Sequence, residues 1–265
     1  MKKWLKIISW VSFGVFVVSI MFLALRTENQ KKIENPKISI HVEGENAFLT
    51  KHELMERLKF RRLIFANQGN QKLNIRQIET EISSMAEVKK VSVYKNIGKN
   101  WFLKVELRKP IARIFNVFQQ SFYIDEDGFS INRSNLHTAR VLIVSGFIYD
   151  KFSRKSATEI INNDSLKSIR KIDEIYRISN YVCNDTLMSK LIGQVYLKKN
   201  GDFILIPLVG DQKIFFGTAN SVNEIEEKFN RLRIFYNEAI PYEGWNKYDE
   251  ISVKYEGQIV CRKRN

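Results

Sequence analysis

The chain has 265 residues, 44% of them hydrophobic, and a formal net charge of +14. That composition fits a globular protein of one or two domains and excludes a disordered or disulfide-dense chain. Two cysteines, Cys183 and Cys261, and three histidines, with no CxxC and no HExxH, exclude zinc ribbons, thioredoxin-type sites and zincin chemistry.

The N-terminus, "MKKWLKIISWVSFGVFVVSIMFLALR", carries Lys2, Lys3 and Lys6 and then no charge before Arg26. The run 7–25 has 19 residues, enough for a helix to cross a hydrocarbon core of about 30 Å. A secretory signal peptide has a shorter apolar part, about 7–15 residues, and a small-x-small cleavage site. Here Ala24 has Phe22 two positions before it, a poor fit. The pattern therefore predicts a tail (1–6), a transmembrane helix (7–25) and a linker (26–36). Lysines and Arg26 flank the run on both sides, so the positive-inside count is nearly even. The short tail favours a cytoplasmic N-terminus, with the bulk of the chain periplasmic. "KFRRLIF" (59–65) and "CRKRN" at the C-terminus would suit nucleic acid in the cytoplasm. Outside the membrane no nucleic acid is expected, and anionic lipid or cell-wall polymer fits the charge better.

After the linker, "KISIHVEG" alternates Ile38, Ile40 and Val42 with polar residues, a strand pattern. Thr50 and Glu53 form a capping box ahead of Leu54 and Leu58, and Asn74 and Gln77 repeat it ahead of Ile75, Ile78, Ile82 and Met85. "VKKVSVYK" and "WFLKVELR" alternate around "NIGKN", a hairpin signal that puts Trp101, Leu103, Val105 and Leu107 on one face. Strand, helix, helix, strand, strand makes a small α+β domain. Pro110 suits the start of a new strand. "ARIFNVF", "SFYI" and "RVLIVSGF" read as strands. Leu166, Ile169, Ile172 and Ile175 form a helical stripe, and Asn200-Gly201 marks a hairpin. Ser221 and Glu224 cap a helix that turns Ile225, Phe229, Leu232 and Tyr236 inward. "DEISVKYEGQIVCRKRN" closes the chain as strands around Glu256-Gly257. The second region thus reads as a mostly antiparallel β domain with flanking helices.

Chemistry is scarce. "FYIDEDGFSI" sets Asp125, Glu126 and Asp127 side by side before Gly128. An EF-hand loop needs a further oxygen ligand before its glycine, and a glycosidase needs a second carboxylate across a cleft. Asp and Gly are the residues a tight turn demands, so Asp125 and Gly128 are read as turn residues. No GxSxG, GxxxxGK[ST] or GxGxxG occurs, so no catalytic residue, metal or cofactor is assigned. Cys183 and Cys261 read as buried free thiols, with a disulfide between them as the alternative in an oxidising space.

The order of parts resembles the FtsQ/DivIB family of bacterial cell-division proteins. "ISIHVEGENAFLTKHELMERL" and "LNIRQIETEISSMAEVKKVSVY" look like its POTRA domain, here 37–112. Arg108, Pro110 and Ala112 resemble its Arg-x-Pro-x-Ala junction. Asp125 and Gly128 resemble the fixed points of its (I/V)-D-x-x-G hairpin, at the start of a β domain spanning 113–265. Val253, Lys254 and Tyr255 resemble its closing leucine-arginine-tyrosine pattern, with Lys in place of Arg.

The resemblance implies a scaffold of the division septum rather than an enzyme. Its partners would be FtsB/FtsL-like coiled-coil proteins, linked onward to the septal peptidoglycan synthase complex. A last strand at a sheet edge offers unpaired N–H and C=O groups to which a partner can add. The candidate partner-binding residues are Val253, Lys254, Tyr255, Gly257, Gln258, Ile259 and Val260, with Lys254 and Arg262 to Arg264 steering acidic groups. A membrane-tethered cell-wall enzyme and a POTRA-bearing transport or secretion component are the alternatives.

Overall fold

The computed structural model describes residues 2–30, 35–42, 48–65, 73–96, 100–134, 137–153 and 170–264. The chain divides into two compact units, Met1–His41 with Leu49–Leu107, and Val42–Phe48 with Arg108–Asn265.

The first unit begins with a 29-residue helix, α1 (Lys2–Gln30). Its side chains are described at Trp4 and over 8–23, where they are exposed and, apart from Ser9, Ser12 and Ser19, apolar, as at Trp10, Phe13 and Val18. Among the described residues no helix is long and apolar enough to cross a membrane. Then come β1 (Lys37–His41), α2 (Lys51–Phe60), α3 (Ile75–Ser83), β2 (Val88–Lys95) and β3 (Trp101–Leu107), the order that the sequence pattern predicts. The caps form as the spacing requires. Thr50 Oγ1 accepts the Glu53 N–H at 3.2 Å, and Asn74 Oδ1 accepts the Gln77 N–H at 3.1 Å. The sheet runs β1-β3-β2, with β3 parallel to β1 and antiparallel to β2. Trp101, Leu103, Val105 and Leu107 fill its buried face, and α2 and α3 bury Leu54, Leu58, Ile78 and Ile82.

The second unit holds β4 (Pro110–Phe115), β5 (Ser121–Asp125), β6 (Ser130–Ile131) and β7 (Leu142–Gly146), then α4 (Ile172–Asn184) and α5 (Met188–Leu191). After them come β8 (Ile192–Leu197), β9 (Phe203–Pro207) and β10 (Lys213–Gly217). Helix α6 (Val222–Ile234) runs through a π-helical turn (Phe235–Ala239) into α7 (Ile240–Glu243), ahead of β11 (Tyr248–Ser252) and β12 (Val260–Lys263). All nine strands form one sheet in the order β12-β11-β10-β9-β8-β7-β4-β5-β6.

Five of the eight strand pairs are antiparallel, in line with the expected mostly antiparallel domain, but the sheet is mixed: β4–β7, β7–β8 and β10–β11 are parallel pairs. The last two follow from crossovers through α4–α5 and α6–α7, because parallel neighbours need a long connection. Those helices cover one face, where Ile175, Ile178, Val182, Ile225, Phe229, Leu232 and Tyr236 meet Ile114, Val144, Val195, Leu205, Ile214 and Ile251. The boundary also falls earlier than residue 112. The units divide at Leu107/Arg108, and residues 110–112 already pair with β5 in the second sheet.

Of the expected helical stripe, Ile172 and Ile175 begin α4, while Leu166 and Ile169 lie outside the described residues. Cys183 and Cys261 are free thiols. Cys183 is exposed rather than buried, because it sits beside buried Val182 on the solvent side of α4.

Candidate functional site

The last hairpin starts earlier and is more charged than alternation suggests. A strand from Ile251 to Tyr255 is expected, yet β11 runs from Tyr248 to Ser252. "YDEIS" has little apolar alternation, but cross-strand pairs hold it. Arg262 of β12 reaches Asp249 at 3.2 Å and Glu250 at 2.8 Å. Residues 253–259 then connect β11 to β12.

Within that connection the candidate residues divide. Val253 is fully buried, and its N–H donates to the Phe215 carbonyl of β10 at 3.0 Å. Lys254 pairs with Asp202 at 2.7 Å, and its stem lies over Gly217, where a Cβ would stand 2.9 Å from Lys254 Cγ. Ile259 is half-buried against the core. Tyr255, Gly257, Gln258 and Val260 are exposed, and Gly257 has φ +69° with nothing within 4 Å of an added Cβ. Burial opposes ionisation of Asp202, but the hydrogen bonds from Lys254 and Asn200 outweigh it and hold the carboxyl below its ordinary value.

β12 is the outermost strand of the sheet. Successive backbone N–H groups of a strand point to opposite sides. The Val253 N–H points to β10, so the Ser252 N–H points to β12, opposite Val260. The Arg264 N–H donates to the Lys247 carbonyl at 2.9 Å, so it too points inward. Alternation along β12 therefore turns the Val260 and Arg262 N–H groups toward β11 and the Cys261 and Lys263 N–H groups outward. Val260, one of the candidate partner-binding residues, spends its donor inside the hairpin. The cations are also partly engaged. Lys254, Arg262 and Arg264 face Asp202, Asp249 and Asp211, whereas Lys263 has no carboxylate partner among the described residues.

At the opposite side of the sheet, Asp125 ends β5 and is fully buried. Its Oδ1 accepts the Asp127 N–H at 3.0 Å and the Phe129 N–H at 2.6 Å, and its Oδ2 takes Arg108 at 2.8 Å. The Gly128 N–H returns to the Asp125 carbonyl at 3.0 Å, with Gly128 at φ +82°. The Arg108 guanidinium lies 4.1 Å from the Phe129 ring centroid. Burial pushes the Asp125 carboxyl up, and the Arg108 and Phe129 hydrogen bonds act against that rise. Of the three acids only Asp125 points inward, which is turn geometry. Among the described residues no group of three His, Cys, Asp or Glu side chains could hold a metal ion.

Asp150 carries a role that its local sequence does not signal. Helix α4 has no side-chain cap of its own at Lys171. Asp150 supplies one from the loop after β7, accepting the Lys171 N–H at 2.9 Å, while its carbonyl takes Asn116 Nδ2 at 3.0 Å.

Two family models match the chain. The model described as "FtsQ/DivIB, C-terminal related" covers residues 109–262. The chain belongs to the FtsQ/DivIB family. A POTRA-like domain model covers 32–106 of this FtsQ/DivIB protein, so the two matches meet where the compact units divide. No curated protein matches the chain. FtsQ/DivIB proteins are membrane-anchored division proteins, generally without enzymatic activity.

Proposed function

We propose that this FtsQ/DivIB protein is a non-catalytic scaffold of the division septum, joining FtsB/FtsL-like proteins to the septal peptidoglycan synthase complex. Residues 7–25 anchor it in the cytoplasmic membrane, with the N-terminus cytoplasmic and the remainder periplasmic. The apolar, exposed side chains over 8–23 of α1 support the anchor. The observation that carries the binding mode is the outermost position of β12, with the Cys261 and Lys263 N–H groups facing away from the sheet. A partner strand adds there, Tyr255 and Val260 give it apolar contact, and Lys263, which has no carboxylate partner among the described residues, steers acidic groups.

Proline tests the edge. Lys263→Pro removes an outward donor and places a ring where the partner strand would lie. It should leave the circular dichroism unchanged and weaken capture of the division partners at least about tenfold, more than the roughly fivefold of one typical hydrogen bond of about 1 kcal/mol. Val260→Pro removes an inward donor and should loosen the hairpin itself. Unchanged capture by a folded Lys263→Pro protein would sink strand addition at β12.

A further inference from the structure

Helix α2 ends on a surface with no role in the scaffold described above. Phe60 is 87% exposed and Phe65 is 54% exposed, with Lys59, Arg61 and Arg62 between or beside them. Two large exposed aromatic side chains five residues apart, flanking these cations, point to a contact surface. Lys59 and Arg61 keep surface pairs with Glu56 and Glu81, whereas Arg62 has no carboxylate partner among the described residues.

The backbone marks the same spot. The Arg62 N–H bonds to the Lys59 carbonyl at 2.9 Å, and the Leu63 N–H bonds to the Leu58 carbonyl at 3.0 Å. Those two bonds make a Schellman stop, whose left-handed position is usually glycine. Here it is Arg62, at φ +57°. A side chain in that region is strained, so fold stability alone favours glycine at the position this cation occupies.

We propose that this turn is a bilayer-docking tip, with Phe60 and Phe65 entering the headgroup boundary and Arg61 and Arg62 meeting anionic phosphates. The chemistry is complementary: aromatic rings favour the interface, and cations favour an anionic leaflet. The inference rests on the membrane anchorage proposed above. Given that anchor, β1 starts seven residues after α1 ends, a connection of at most about 25 Å, so the first unit stays close to the lipid.

The test uses the full chain reconstituted in phosphatidylcholine vesicles with or without about one third phosphatidylglycerol. An environment-sensitive, apolar label sits at Phe60→Cys, with Cys183 and Cys261 changed to Ser, and brominated acyl chains report its depth. Quenching is expected on the anionic vesicles and should fade at high salt. Arg61→Gln with Arg62→Gln should lower the docked population roughly 25-fold, about fivefold for each cation. Arg62→Gly should raise thermal stability while reducing docking, which a merely structural turn would not do. A chain that resists carbonate extraction yet shows no quenching on anionic vesicles overturns the tip alone. Quenching that appears only after a second protein is added assigns the surface to a protein and also overturns it. A chain stripped by carbonate overturns the anchor, and the tip with it.

Discussion

The β5–β6 turn and the β11–β12 connection use nearly the same vocabulary, acids followed by a glycine at positive φ, in "DEDG" and "YEG". Their structures differ. Asp125 is fully buried, with its carboxylate shared among Arg108 and two backbone N–H groups. The Glu126 carbonyl accepts from Tyr176 of α4 at 2.8 Å, and the Glu126 N–H returns to the Lys109 carbonyl. At residues 254–258 every side chain is exposed, and the Lys254–Asp202 pair is the main tie. One turn locks the start of the sheet; the other leaves its last strand accessible. Local composition sets the backbone bend, while partners distant in sequence decide whether the bend is rigid.

The largest test of that contrast is Arg108→Ala. It strands a fully buried carboxylate, and breaking such a pair costs about 3–5 kcal/mol. Chemical denaturation of the second unit should show the loss. Lys254→Ala at the other turn should cost far less, because the Lys254 ammonium is exposed and solvent screens its pairing with Asp202. Equal losses would erase the distinction between the two turns.

The glycines sharpen it next. Gly128 is buried at φ +82°, and Gly257 is exposed at φ +69° with open space around it. Gly128→Val forces a β-branched side chain into a buried, left-handed position and should cost about 3 kcal/mol, the upper end for a residue forced into that region. Gly257→Ala meets strain alone and should cost about 1 kcal/mol. Melting curves of the two variants compare them directly, and a Gly257→Ala loss as large as that of Gly128→Val would show the last connection to be as constrained as the first.

Much of this was legible in the sequence, and the limits are physical. The N-caps at Thr50, Asn74 and Ser221 act within one turn of chain, and in all three the cap side chain accepts the N–H three residues on. Asn200-Gly201 likewise fixes its hairpin through φ +90° at Gly201. Alternation with period two, however, states only which face a residue takes. It does not give strand direction, so the parallel pairs β4–β7, β7–β8 and β10–β11 were invisible. Nor does it say which side an N–H faces, so the pattern alone does not separate Val260, whose donor turns inward, from Cys261 and Lys263, whose donors turn outward. The Asp150 cap of α4 joins residues 21 apart, and the Arg62 stop breaks the glycine rule for that position, so neither had a local signature.

The smallest effect concerns pH at the accessible connection. The Asp202 carboxyl lies below its ordinary value of 3.8, because the hydrogen bonds from Lys254 and Asn200 outweigh the opposing effect of burial. A carboxyl depressed in the folded state contributes stability that is fully present above its unfolded value and is lost as pH falls through the folded one. The Lys254–Asp202 tie should therefore hold at neutral pH and release below about pH 3.8. The gain is small, since Lys254 is exposed and solvent screens the pair. Global unfolding is too coarse a readout for it. Amide hydrogen exchange over 254–260, corrected for intrinsic rates and measured at falling pH, isolates it. Protection there should drop through that window while the amides of 125–129 keep theirs, and Asp202→Asn should start with the low protection at every pH. Simultaneous loss of protection in both turns would mean that acid unfolds the sheet as a whole, and the last connection would have no separate freedom to receive a partner.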